Sequence, residues 1–142
     1  MASHYDQEKK CRVGTMDENQ FYAETTVANR AFFKSLIAAC EAQGGSLKWG
    51  AGGVGLRMLF DGAVVGVCFL APSFAGKKDR IELSLTALAK QIGERRCQDL
   101  KRALSLAAGD HLLGATMVSL VDPGELSKAG QDAVKTAFAA LS

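Results

Sequence analysis

The sequence predicts an α+β domain, in which a single layer of mainly antiparallel sheet packs against helices in the order α-β-β-β-β-α-β-α. Apolar residues recur at helical spacing in the first third of the chain, at every second position in the middle, and at helical spacing again in the last third. The length of 142 residues, with 48% hydrophobic and 23% charged residues, is typical of one globular domain. We therefore expect a flexible tail over residues 1–16 and a single α+β domain over residues 17–142.

A long helix is predicted over residues 18–42. Asp17 precedes it as a candidate N-cap, and neither proline nor glycine follows until the pair Gly44-Gly45, which supplies a stop. The apolar residues of this segment share one helical stripe, which would face the core. Its main members are Phe21, Ala28, Phe32, Leu36 and Cys40.

Four strands are predicted to follow this helix. Asp61-Gly62 is the clearest turn signal between them, because both residues tolerate a positive φ and favour a two-residue hairpin. The third of these strands is apolar on both faces, which indicates a central strand covered on each side. The four strands are Ser46–Trp49, Val54–Phe60, 63–70 and 80–85.

Helical spacing returns after the strands and is interrupted once more. Gly93 is expected to break the second helix into two pieces, and Gly109 to end it. Asp122-Pro123-Gly124 combines a turn with a helix start. The remaining predicted elements are a helix over residues 86–108, a strand over residues 112–121 and a helix over residues 125–141.

The cysteines and the termini indicate the compartment. Cys11, Cys40, Cys68 and Cys97 stand far apart, with no histidine at metal-ligand spacing, so we expect reduced packing residues and no metal site. The N-terminus has no apolar core of signal-peptide length, and the longest apolar run is too short to span a bilayer. These features predict a soluble, cytoplasmic protein with no membrane partner.

Glycine is plentiful, at 15 residues, and residues 50–55 satisfy the G-x-G-x-x-G spacing of dinucleotide-binding loops. Such a loop must open a helix, so that the pyrophosphate meets the helix N-terminus. Here a strand and a hairpin follow, and no acidic residue stands about 20 positions further on. We therefore expect no cofactor and interpret these glycines as a connection between strands that uses positive φ values.

Polar residues on neighbouring predicted strands form a candidate site for an anionic ligand. If the strands pair in sequence order, these polar residues gather on one sheet face. The predicted ligand site lies between the sheet and the first helix, where Arg57 would hold the anionic group and the glycines would allow close backbone approach. The alternative is a solvated face, which antiparallel sheets commonly have, with Trp49 as a core residue. The candidate ligand-binding residues are Lys48, Trp49, Gly52, Gly53, Arg57 and Glu82.

A basic segment is the second candidate surface, and it gives weak support to nucleic-acid binding. Clustered cations can follow a phosphate backbone, but no aromatic residue interleaves with these to stack on bases. The alternative is a solvated helix face, in which Asp99 can pair with Arg95. The candidate nucleic-acid residues are Lys77, Lys78, Arg80, Arg95, Arg96 and Arg102.

Catalytic motifs are incomplete. The element order invites comparison with the PD-(D/E)-x-K nuclease fold, which holds Mg²⁺ with an Asp and an acidic-x-Lys on strand ends. Asp61 lies at a predicted strand end, but Glu82-Leu83-Ser84 lacks the lysine. His111 follows a helix end beside Asp110, where a cation suits the helix dipole, so we interpret it as a capping or surface residue. We therefore predict no catalytic residue.

A well-patterned fold without a complete catalytic constellation favours binding over catalysis. We expect a small soluble interaction module that acts through a surface, either by self-association or with a protein partner. Three alternatives stay open: a small domain that binds an anionic ligand near the glycine-rich loop, a weak nucleic-acid-binding domain, and a nuclease-like domain.

Overall fold

A computed structural model describes Tyr5–Asp6, Cys11–Arg12 and residues 14–141, with side chains from residue 14 onward. Five α-helices form in this part of the chain: α1 (Glu18–Glu24), α2 (Val27–Ala42), α3 (Leu85–Ile92), α4 (Glu94–Ala108) and α5 (Lys128–Ala139). Short 3-10 turns occur at Gly109–His111, directly after α4, and at Pro123–Glu125, shortly before α5.

Six of the eight described strands form one antiparallel sheet. Their order across the sheet is β3-β4-β5-β6-β8-β7, and β1 pairs separately with β2. This arrangement of helices and antiparallel sheet confirms the predicted α+β class. The strands are β1 (Tyr5–Asp6), β2 (Cys11–Arg12), β3 (Ser46–Trp49), β4 (Val54–Phe60), β5 (Ala63–Ala71), β6 (Arg80–Ser84), β7 (Leu112–Leu113) and β8 (Met117–Val121).

The segment predicted as one helix over residues 18–42 is two helices. Asp17 caps α1 as expected, its carboxylate accepting a backbone N–H at 2.8 Å. Thr25 leaves the helical region, with φ −88° and ψ 138°, and ends α1. The N–H of Thr26 donates at 2.9 Å to the carboxylate of Asp79, which lies 53 residues further along the chain. A long-range contact therefore outweighs the local helical pattern at this point.

Element boundaries in the last third follow glycine and serine residues. Gly93, with φ +95°, separates α3 from α4, as predicted. The strand predicted over residues 112–121 is divided into β7 and β8 around Gly114, which also has φ +95°. The last helix begins later than predicted, at α5, because the hydroxyl of Ser127 caps it by accepting a backbone N–H at 3.1 Å.

The hydrophobic core lies between one face of the sheet and the helices α2, α4 and α5. We call this the inner face. Alternate residues of β4 point into it, as the period of a strand requires. Full burial of a large apolar side chain contributes roughly 1.5–3 kcal/mol, so this layer supplies most of the hydrophobic stabilisation. Its fully buried members include Val54, Leu70 and Ile81 of the sheet with Phe33, Leu104 and Val134 of the helices.

The strand predicted over residues 63–70 is central, as expected, since β5 is third among the six strands. The expectation that it is covered on both faces is wrong. Val65 and Leu70 are buried on the inner face, whereas Val64 is 56% exposed and Gly66 is also exposed. The helices bury their apolar side chains in the single core on the inner face, so apolar composition alone did not indicate a second covering layer.

The predicted flexible tail, residues 1–16, lies mostly outside the described residues and stays a prediction. Within its described part, Tyr5–Asp6 pairs with Cys11–Arg12. Met16 is buried, and its N–H donates to the carbonyl of Gly50 at 2.9 Å. The packed part of the chain therefore includes Met16.

Candidate interaction surface

The outer face is the sheet face that is turned away from α2, α4 and α5. Residues directly opposite in an antiparallel pair lie on the same face, so the register of the strands defines its members. They are Ser46 and Lys48 of β3, Gly55, Arg57 and Leu59 of β4, Val64, Gly66, Phe69 and Ala71 of β5, Arg80, Glu82 and Ser84 of β6, Leu113 of β7, and Met117, Ser119 and Val121 of β8.

Four large apolar side chains on the outer face are more than half exposed. They are Leu59 (53%), Val64 (56%), Leu113 (54%) and Met117 (63%). Leu59 and Val64 are direct cross-strand partners. The other two large apolar residues with such exposure in the described chain, Val27 and Leu106, lie singly on α2 and α4. Isolated exposed apolar residues are ordinary, whereas several on one face indicate an interaction surface.

Phe69 lies in the middle of the outer face against the glycine-rich segment. A Cβ atom built at Gly50, Gly52 or Gly55 would lie 3.8, 3.9 or 3.9 Å from an atom of the Phe69 ring. These are ordinary van der Waals distances, so a methyl group at any of the three positions would fit against the ring. Packing against Phe69 therefore does not by itself require glycine there.

Gly53 is required by the backbone of the β3–β4 connection. Its φ is +151°, and a Cβ atom there would overlap the carbonyl oxygen of Leu70. The N–H of Gly50 donates to the carbonyl of Gly53 at 2.9 Å and closes the turn. Of the two glycines proposed for ligand binding, Gly53 is buried and Gly52 is half-buried.

The predicted ligand residues Lys48, Arg57 and Glu82 all lie on the outer face, but they do not form one cluster. Lys48 is opposite Gly55, two residues before Arg57 on β4, so the two cations are diagonal neighbours. Glu82 lies two strands from β4, about 10 Å away across the sheet, with Phe69 between them. The structure therefore brings together the two basic residues and separates them from the acidic one.

The remaining partners of the predicted site are placed differently. Trp49 lies on the inner face, where its ring meets Phe21 edge-to-face at 5.6 Å between centroids. Glu82 accepts a hydrogen bond from Nε of Arg80 at 3.1 Å. Within residues 14–141, no carboxylate lies within ion-pair distance of Lys48 or Arg57. The outer face thus has an uncompensated positive charge at its β3–β4 side.

A gap opens in the sheet between β5 and β6. β6 pairs with β5 only at Phe69, Leu70 and Ala71, and the chain then continues into α3. In the described chain, residues 63–68 of β5 therefore have β4 as their one partner strand. The gap is an open groove of about 430 Å³. Its lining includes Val64 and Gly66 of β5, Glu82 and Ser84 of β6, and Met117 of β8. Residues of α3, among them Leu88 and Gln91, form part of its wall.

The six basic residues considered for nucleic-acid binding fall into two groups. The groups are Lys77, Lys78 and Arg80 around the start of β6, and Arg95, Arg96 and Arg102 on α4. The guanidinium of Arg96 lies 5.8 Å from the ring centre of Phe60, at the far end of β4. Arg102 pairs with Asp99 at 3.6 Å. The length of β4, about 20 Å, therefore separates Arg96 from Arg80.

A buried cluster of three polar side chains, Asn29, Asp79 and Asp122, joins α2 to the segments that flank β6 and β8. Asn29 Nδ2 donates to Asp79 at 2.9 Å and to Asp122 at 3.1 Å, and Asn29 Oδ1 accepts the N–H of Gly124 at 2.7 Å. Sequence reasoning identified none of the three. The available signal was Asn29, a polar residue beside the apolar stripe of a helix, since buried polar side chains need partners.

Asp79 is the most extensively hydrogen-bonded carboxylate of this buried polar cluster. It accepts the N–H of Ser73 at 2.6 Å, and from Thr26 it accepts the N–H at 2.9 Å and the hydroxyl at 2.8 Å. Burial by itself raises the pKa of a carboxyl, but the hydrogen bonds from Asn29, Thr26 and Ser73 outweigh it. The pKa of Asp79 is therefore held below its ordinary value, and the side chain is ionised at neutral pH.

The side chains compared with catalytic motifs lie apart. Asp61 is exposed in the β4–β5 turn, and Glu82 is paired with Arg80 on the outer face. Nδ1 of His111 donates to the carbonyl of Val121 at 2.8 Å, which ties the 3-10 turn to β8. Among the described residues, no group of three or more His, Cys, Asp or Glu is arranged to hold a metal ion.

The three cysteines whose side chains are described, Cys40, Cys68 and Cys97, are free and buried. Burial is the main cause that raises the pKa of each thiol above its ordinary value. Each is therefore a neutral packing residue, as predicted, rather than a reactive thiolate. The side chain of Cys11 lies outside the described residues.

No helix among the described residues combines the length and the apolar composition that a membrane span needs.

Comparison with known proteins gives no information on the function of this surface. Comparisons of the chain with protein-family models, with curated proteins and with solved structures found no match.

Proposed function

We propose that the chain is an interaction module whose outer face binds a protein. The observation that carries this proposal is the placement of Leu59, Val64, Leu113 and Met117, each more than half exposed, on the sheet face turned away from α2, α4 and α5. Removing apolar surface from water contributes roughly 25 cal/mol per Å², so a partner that covers this face would be stabilised by the burial. The exposed apolar side chains of the outer face are sufficient for such binding, so no additional helix, strand or cofactor is needed.

Charge at the border of the outer face supports the same proposal. Lys48 and Arg57 have no carboxylate partner within the described chain, whereas Glu82 is paired with Arg80. Interfaces commonly combine an apolar centre with a polar rim whose charges are complementary. The partner surface that fits best is therefore apolar at its centre and acidic where it meets Lys48 and Arg57.

A matched pair of double variants tests the proposal. Leu59→Lys with Met117→Lys places two charges on the outer face, and Val27→Lys with Leu106→Lys places two on exposed helix positions. We expect the outer-face variant alone to lose at least about tenfold in association, since a charge forced into an apolar interface costs more than 1.4 kcal/mol. Both variants retain Lys48 and Arg57, so binding of a small anionic ligand would be unaffected.

Association is measured in two ways, because the partner is either a second copy or a different protein. Sedimentation velocity of the purified chain detects self-association, and quantitative cross-linking in a cell extract detects a different protein. The proposal stands if the wild type and the helix variant associate alike while the outer-face variant does not. Equal association of all three proteins, or equal loss in both variants, would contradict it.

A further inference from the structure

Residues 63–68 of β5, which do not pair with β6, direct backbone hydrogen-bonding groups into the groove between β5 and β6. Asp61-Gly62 has positive φ at both residues, 51° and 83°, and Phe60 lies opposite Ala63, so the turn is a two-residue hairpin. The two residues that flank such a turn form a hydrogen-bonded pair. Further along the hairpin, non-hydrogen-bonded and hydrogen-bonded pairs alternate, so the pairs that contain Val64 and Gly66 are non-hydrogen-bonded. Val64 and Gly66 therefore point their N–H and C=O groups away from β4.

These backbone groups meet no strand within the described residues, because β6 pairs with β5 only from Phe69 onward. Gly66 adds an independent observation. A Cβ atom at Gly66 would have no heavy atom within 4 Å, and its φ is not positive, so the fold itself does not require glycine there. Glycine inside a strand often marks the close approach of another backbone.

We propose that an extended segment of a different protein adds to the sheet at this edge, pairing its backbone with Val64 and Gly66. Its apolar side chains contact Val64 and Met117, and an acidic side chain reaches Arg57. This inference rests on the proposed function and specifies its partner. Unpaired strand edges are templates for such additions, in which the main chain supplies affinity and alternate side chains supply specificity.

Charge favours an acidic segment. Glu82 lines the groove, but it is paired with Arg80, so Arg57 is the nearby charge left without a partner among the described side chains. Arg57 is directly opposite Gly66, and it has no carboxylate partner in the described chain. A strand added beside β5 would lie about 10 Å from β4, and the bare surface of Gly66 leaves the path between them open. An acidic residue placed next to Gly66 can therefore pair with Arg57.

The same geometry disfavours a second copy of the chain as the occupant. Two-fold antiparallel pairing of β5 with its own copy around Gly66 would place residues 63–71 of the copy beside Gly66. This strand contains no acidic residue, so it would leave Arg57 without a counter-charge. A different protein with an acidic segment supplies the missing carboxylate.

The test uses the whole chain and short peptides as probes, followed by amide NMR. One peptide alternates valine with glutamate, and its control alternates valine with lysine. We expect the glutamate peptide to shift the amides of Val64 and Gly66 and to bind about fivefold more tightly, the ratio that an exposed ion pair of about 1 kcal/mol gives. The amide exchange of both residues should also slow on binding.

Two proline variants test the edge itself. Val64→Pro removes an N–H that points into the groove. Its control is Val27→Pro, because Val27 is the first residue of α2, where a helix tolerates proline, and it is exposed outside the outer face. We expect loss of peptide binding in Val64→Pro only. If Val64→Pro does not fold, Arg57→Glu replaces it, and this variant should prefer the lysine peptide.

Four outcomes would overturn the inference: no binding of either peptide, equal binding of both, amide shifts confined to other elements, or unchanged binding in Val64→Pro. Protection of Val64 and Gly66 that rises with protein concentration would assign the edge to a second copy instead. If the peptide test fails while the outer-face double variant still loses its partner, the outer face remains an interaction surface and strand addition is excluded.

Discussion

Val64 and Val65 are adjacent valines on β5 that lie in different environments. Val65 is 4% exposed on the inner face, beneath the helical layer, whereas Val64 is 56% exposed on the outer face. Their immediate neighbours in the sheet are also alike in composition, since Met58 is opposite Val65 and Leu59 is opposite Val64. Hydropathy therefore does not distinguish the two faces, and only the position of the helices does.

The two faces of β5 are both apolar, but the inner face is packed against helices and the outer face is exposed. On the inner face, the buried polar cluster of Asn29, Asp79 and Asp122 joins the start of α2 to the segments around β6 and β8. The outer face has the Arg80–Glu82 pair at its centre and no comparable anchor among its described side chains. Several exposed apolar side chains on one face are the feature on which the proposed interaction rests.

The largest effect is expected where the buried polar cluster holds the helical layer in place. Asp79→Ala removes the ionised acceptor of Thr26, Asn29 and Ser73, and hydrogen bonds to a charged group contribute roughly 1.5–3 kcal/mol each. Water can replace the acceptor for Thr26, which is exposed, but not for Asn29, which is buried. We expect the free energy of unfolding in urea to fall by about 3 kcal/mol or more. Asp99→Ala, at an exposed position of α4, should change it by less than about 0.5 kcal/mol. A loss below about 1 kcal/mol in Asp79→Ala would contradict this role of the cluster.

The two valines give the next largest difference and test the comparison directly. Val65→Ala removes buried methyl groups beneath the helices and should lower the free energy of unfolding by about 2 kcal/mol. Val64→Ala should lower it by no more than about 0.5 kcal/mol in the isolated monomer. Urea unfolding of both variants at low protein concentration provides the measurement. Equal losses would mean that the outer face is already packed in solution.

Local signals in the sequence predicted local features well. The cap at Asp17, the hairpin at Asp61-Gly62 and the helix break at Gly93 each depend on a few adjacent residues, and all three are present. The α+β class followed from the change in apolar spacing along the chain. Such features are predictable because their physical cause lies within the segment itself.

Features that depend on distant segments escaped the sequence. Asn29 contacts Asp79 and Asp122, which lie 50 and 93 residues away, and no periodicity links them. The exposed outer side of β5 was equally hidden, because its apolar residues match those of a strand covered on both faces. The alternation of polar and apolar residues along the strands correctly placed Lys48 and Arg57 on one sheet face. It could not show that Phe69 lies between these two residues and Glu82.

The smallest predicted effect is the pH dependence that Asp79 contributes. Its folded-state pKa lies below the ordinary value, so the stability it supplies is fully present above the unfolded pKa of about 3.9 and is lost as pH falls through the folded pKa. Each unit of lowering corresponds to about 1.4 kcal/mol. We expect the difference in unfolding free energy between the wild type and Asp79→Asn to be constant near neutral pH and to shrink in acid.

Val64→Ala is the matched control for this pH dependence, because it alters the outer face and leaves Asp79 and its donors in place. Its difference from the wild type should stay constant over the pH range in which the Asp79→Asn difference shrinks. Urea titrations of the three proteins from acid to neutral pH make the comparison. A constant Asp79→Asn difference, or one that grows in acid, would show that the buried polar cluster does not hold Asp79 in its ionised form. The helices would then be held on the inner face by apolar packing alone. The inner and outer faces would differ only in whether helices cover them.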